Sequence, residues 1–75
     1  MPKIPAVSAR KLIKVLKKEG FVLNRTHGSH QIFVRTSDKR TVSIPNHPGN
    51  DLGRGITLAI LKDADISIEK FLKLL

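Results

Sequence analysis

Between Phe21 and Ile44 the chain carries three short β-prone runs separated by breaks too small for anything but hairpins. The runs are about Phe21–Thr26, about His30–Thr36 and about Thr41–Ile44. The breaks are His27-Gly28-Ser29 and the polar Ser37-Asp38-Lys39 with Arg40. Parallel strands need a long crossover, so turns of this length force an antiparallel meander. The third run alternates cleanly, with Val42 and Ile44 on one face and Thr41 and Ser43 on the other. Pro45 ends it, because proline cannot donate to the ladder.

The meander is flanked by helical patterns. Ala9, Leu12, Ile13 and Leu16 recur at i, i+3, i+4 and i+7 with Val15 alongside, while Lys11, Lys14, Lys17 and Lys18 take the other faces. Ser8 is placed to cap the first turn and Gly20 to close the last. After the loop Asn46-His47-Pro48-Gly49-Asn50, the segment Ile56–Leu61 reads as a second helix with Asp51 to Gly55 leading into it. Ser67 caps a short final helix, Ile68–Leu75, with Ile68, Phe71, Leu72 and Leu75 on one stripe. Pro2 and Pro5 make residues 1–7 an extended arm. The fold class is therefore α+β: α-β-β-β-α plus a short C-terminal helix, a three-stranded antiparallel sheet with helices on one face.

A chain of 75 residues is expected to form one domain, 1–75, with a small core. With no cysteine, neither a disulfide nor a cysteine-based zinc site can add stability. That is compatible with a reducing, cytoplasmic setting. No apolar stretch is long enough to span a membrane, and the first residues lack the apolar core of a secretory signal.

The net charge of +8 is unevenly placed. Residues 1–50 hold ten Lys and Arg against two acidic residues, whereas residues 51–75 hold four of each. A one-sided basic field attracts polyanions. Within the basic part lies Gly28-Ser29-His30. Glycine lets a ligand approach the backbone, serine offers a hydroxyl, and histidine titrates near working pH. RNA supplies its own nucleophile, the 2′-hydroxyl, so its cleavage needs a base, an acid and donors for the phosphate. His30 can serve as base or acid, Gly28 and Ser29 can shape the phosphate site, and Arg25, Arg35, Lys39 and Arg40 can supply positive charge. Arg54, beside a helix start, also suits a phosphate.

The same residues admit plainer roles. A histidine at a strand start is commonly a surface or core-edge residue. Alternation sets His30 on the face of Ile32 and Val34, so a core on that side would turn its ring inward. His27 and His30 are three apart, which in extended chain aims them to opposite faces and, with no cysteine, argues against zinc. His47 is a loop residue that becomes a second acid–base group if its loop folds toward Gly28. No nucleotide-binding loop or paired-carboxylate pattern is present, and no cofactor or metal is expected. Phe21, Phe33 and Phe71 all fit core positions, which leaves no aromatic platform for bases.

Taken together, Ser8-Ala9-Arg10-Lys11-Leu12-Ile13, Gly20-Phe21 and Arg25-Thr26-His27-Gly28-Ser29-His30 resemble the HicA toxins of type II toxin–antitoxin systems. Ile44-Pro45-Asn46-His47, Gly55, Ile60-Leu61-Lys62, Ile66-Ser67 and Glu69-Lys70-Phe71-Leu72 continue the likeness, which runs from about residue 5 onward. The resemblance implies a double-stranded-RNA-binding-domain-like fold and metal-independent mRNA cleavage. It further implies His30 as the catalytic histidine and neutralisation by a HicB antitoxin. Two departures stand out: Gly55-Ile56-Thr57 where family members usually read Gly-Thr-Leu, and Ala64-Asp65 where they read Ala-Gly. A non-catalytic RNA-binding domain of the same fold, and an interaction protein whose basic face docks an acidic antitoxin, are the alternative readings.

Overall fold

The computed structural model describes residues 4–45 and 51–75; the loop that carries His47 lies outside the described residues. The elements run β1 (Val7–Ser8), α1 (Ala9–Lys18), β2 (Val22–His27), β3 (His30–Arg35), β4 (Arg40–Pro45), β5 (Asp51–Leu52), α2 (Arg54–Asp63) and α3 (Ile68–Leu74). The meander is an antiparallel sheet in the order β2-β3-β4. Among the described residues, no helix is long and apolar enough to cross a membrane.

The sheet has two unlike faces. Phe33 pairs with Val42, and Gln31 with Ile44; Phe33, Val42 and Ile44 are buried with Leu12, Leu16, Phe21, Ile60, Leu61 and Phe71 from beneath the helices. The opposite face carries Val22, Arg25 and His27 of β2, His30, Ile32 and Val34 of β3, and Thr41, Ser43 and Pro45 of β4. A bulge at Asn24 lets both Val22 and Arg25 stand on this second face, which simple alternation forbids.

α1 forms where its stripe and caps predict. The Ser8 hydroxyl accepts from the Lys11 amide at 3.3 Å, and Ala9, Leu12, Val15 and Leu16 are buried. At its end the Phe21 amide donates to the Leu16 carbonyl (3.0 Å) and the Gly20 amide to the Lys17 carbonyl (3.1 Å), with Gly20 at φ +89°. This paired closure requires a left-handed residue. α2 ends the same way: the Ile66 amide donates to the Leu61 carbonyl (2.9 Å) and the Asp65 amide to the Lys62 carbonyl (3.1 Å). Here the left-handed residue is Asp65, at φ +56°. The Ala64-Asp65 departure thus places a side chain where the backbone favours glycine. Its carboxylate lies 3.8 Å from the Arg40 guanidinium but is largely exposed, so the pair contributes little. Asp65→Gly is expected to stabilise the fold by about 0.5–1 kcal/mol, raising Tm by about 3–6 °C in a thermal melt.

The stripe expected of α3 is not the one that forms, and α2 and the N-terminal arm add features that no periodic signal marks. In α2 the buried positions are Thr57, Ile60, Leu61 and, just beyond it, Ala64, while Ile56 and Leu58 are exposed. Threonine completes the i, i+3, i+4, i+7 stripe because its hydroxyl donates to the Gly53 carbonyl at 3.0 Å. In α3, Phe71 is buried with Ile68 and Leu74 packed against the core, and Leu72 and Leu75 are exposed. Its rotation is consistent with two contacts to α1: Lys70 to Glu19 (2.7 Å) and Lys18 to the Leu74 carbonyl (3.0 Å). Finally, β1 and β5 form a two-residue antiparallel pair, Val7 with Leu52 and Ser8 with Asp51, so the end of the N-terminal arm is tied to the start of α2. Ile4 and Val7 are buried there.

Arg35 fastens the helices to the sheet. It sits on the helix side of β3, and its guanidinium forks onto Asp38 through Nε (3.1 Å) and one terminal nitrogen (2.8 Å). It also donates to the carbonyls of Glu19 (3.3 Å) and Ala64 (3.2 Å), the residues that end α1 and α2. Its charge centre lies 4.7 Å from the centroid of the Phe21 ring. A cation beside two helix C-termini complements both dipoles. Arg40 adds a bond to the Asp63 carbonyl at 3.1 Å.

Candidate functional site

The Gly28-Ser29 pair forms the two-residue loop of the β2–β3 hairpin, with His27 and His30 as its closing pair. Gly28 has φ +61°, whereas Ser29 is not in the positive-φ region. That pattern belongs to a type II′ turn, which calls for glycine at its first central position. A Cβ built on Gly28 would meet nothing within 4 Å, so the requirement comes from backbone conformation and leaves open space above the turn. His30 opens β3 just beyond it.

His30 is exposed, as are His27, Gly28, Ser29 and Arg25. The face of Phe33 is the buried one, so His30, Ile32 and Val34 stand on the side without helices. The expectation that His27 and His30 point to opposite faces is overturned. Parity holds along one continuous strand, but a two-residue turn folds the chain back and sets residues i and i+3 directly opposite one another on the same face. The two imidazoles and Arg25, paired with Ile32, therefore share one surface. Among the described residues, no three His, Asp or Glu side chains converge to hold a metal.

The other expected cations separate from this cluster. Arg35 and Arg40 are paired with each other at the far end of β3, roughly 17 Å from His30 along the strand. Both are engaged with Asp38, and Arg35 is turned toward the helices. Lys39 lies in the turn at that end, at φ +58°. These three residues do not join His30 in one site. Arg54 is exposed at the first position of α2.

Other cations gather on the helix side of the sheet. Arg10, Lys14 and Lys17 of α1 line an open depression together with Ile13 and Gln31, the residue that follows His30. None of the three basic groups forms an ion pair with a described residue. The sequence marked these α1 cations only as part of an unevenly placed basic charge. What it lacked was the packing of α1 beside Gln31, which a helical period does not reveal.

The turn, the exposed histidine and the neighbouring cations lie within a stretch that matches a known family. The family described as HicA toxin of bacterial toxin-antitoxin matches residues 9–66, from the first residue of α1 to the closure of α2. The chain belongs to the HicA toxin family. It is thus a toxin of the toxin–antitoxin class, whose members are generally mRNA interferases. No curated protein gave a match. The HicA match takes in the whole meander and both long helices, and it ends before α3.

Proposed function

We propose that this HicA toxin is a metal-independent endoribonuclease acting on mRNA in the cytoplasm as a single domain, with His30 as acid or base. The observation that carries the proposal is the position of His30. It is exposed beside a glycine turn with open space above it, on a helix-free face that also bears Arg25. Gly28 and Ser29 shape the phosphate site. Arg25, with Arg10, Lys14 and Lys17 along α1, holds the RNA backbone. Arg54 provides a further phosphate contact at the start of α2. A HicB-type antitoxin is the neutralising partner, and the cationic surface suits an acidic protein.

The test is cleavage of a defined RNA in EDTA, beside the same oligomer with one 2′-deoxy nucleotide at the cut site. Attack by the 2′-oxygen requires that the substituted position resist cutting while the rest of the strand remains a substrate. Cleavage at the 2′-deoxy position would refute the mechanism. Tight binding with no cleavage of either oligomer would make the protein an RNA-binding domain instead.

A further inference from the structure

We propose that His27 is the second acid–base group of the site, acting with His30 across the hairpin. The inference deepens the ribonuclease reading and rests on it. In-line cleavage moves two protons. One leaves the 2′-hydroxyl as the 2′-oxygen–phosphorus bond forms, and another reaches the 5′-oxygen as its bond to phosphorus breaks. The products are a 2′,3′-cyclic phosphate and a 5′-hydroxyl. A neutral imidazole takes the first proton and an imidazolium gives the second, so two histidines at one phosphate complete the reaction with no other reagent.

The structure brings two together. His27 and His30 are direct cross-strand partners at the turn, both exposed, on the face that no helix covers. Directly opposed residues hold their Cβ atoms about 4.5–5.5 Å apart, which lets two rings flank one phosphodiester. Neither ring is hydrogen-bonded or ion-paired to a described residue. The only charged group sharing their face on β2, β3 and β4 is Arg25, and the neighbouring β4 residues, Ser43 and Pro45, are uncharged. No carboxylate from these strands competes with a phosphate there.

The experiment compares wild type, His27→Ala, His27→Asn and His30→Ala on one RNA across pH. It also measures binding of a fully 2′-deoxy strand and thermal melting for each protein. Wild type should give a bell-shaped profile of kcat/KM. Both His27 variants should lose about 10²–10³-fold in rate and one limb of the bell, with binding and melting close to wild type. Loss of the high-pH limb assigns His27 as the acid, and loss of the low-pH limb as the base. His27 variants that cleave within about twofold of wild type with both limbs intact would overturn the proposal. So would a rate loss that merely follows weakened binding or a lowered melting temperature. If His30→Ala cleaves as well as wild type, or wild type does not cleave, the ribonuclease reading itself fails, which is a distinct result.

Discussion

His30→Ala should reduce RNA cleavage by at least about 10²-fold while leaving the fold and RNA binding intact. His30 is exposed, contributes nothing to the buried core, and its ring makes no hydrogen bond to a described residue, so its loss opens no cavity. Its ring contributes proton transfer rather than packing. The decisive comparison is cleavage rate against Kd for a 2′-deoxy strand. A variant that binds like wild type and cuts far more slowly supports the assignment. Equal cleavage by the two proteins would remove His30 from the chemistry.

Arg35→Ala should have the larger effect on stability, lowering it by about 2–4 kcal/mol from the loss of several charge-assisted hydrogen bonds at once. A 75-residue domain commonly has only about 4–11 kcal/mol in total, so much of the chain should unfold at moderate temperature. Arg35→Lys should recover little, because an ammonium cannot fork onto Asp38 while reaching two helix ends. The same contact has a pH signature. The Arg35 guanidinium, by hydrogen bonding, holds the Asp38 carboxyl down to about 2, from an ordinary value of 3.8. A group depressed in the folded state stabilises above its unfolded value and loses that contribution as pH falls through its folded value. Wild type should therefore lose stability between about pH 5 and pH 2, and Asp38→Asn should flatten that part of the curve. Urea titrations at stepped pH measure both effects, and an unchanged midpoint for Arg35→Ala would show that the fork is dispensable.

Most of the architecture was readable because it rests on strong periodic signals. The α1 stripe, the Ser8 and Ser67 caps, the Gly20 closure and the two hairpins all lie where the residues place them. What the residues did not announce depends on packing and on contacts distant in sequence. Thr57 is polar in composition yet buried once its hydroxyl bonds to its own helix, and Leu72 yields to Leu74 because docking against α1 sets the rotation. The pairing of Val7 with Leu52 spans most of the chain and leaves no local trace. In the site, Gly28, Ser29 and His30 were legible as a turn into a strand, whereas the facing of His27 and His30 depends on counting across a turn. Arg35 illustrates the hardest case. Its charge suggests a ligand, and only the tertiary arrangement of two helix ends and Asp38 shows that its donors are already committed.

The short β1–β5 pairing bears on how such a chain is made. Val7 and Ser8 are synthesised before the meander and their partners only after it. Until Leu52 is made, Val7 has no partner strand. The nascent chain can form its central hairpin locally, yet assembly must wait for the last third of the polypeptide. The pair therefore closes the fold around the sheet only once the strands between its two halves have been made.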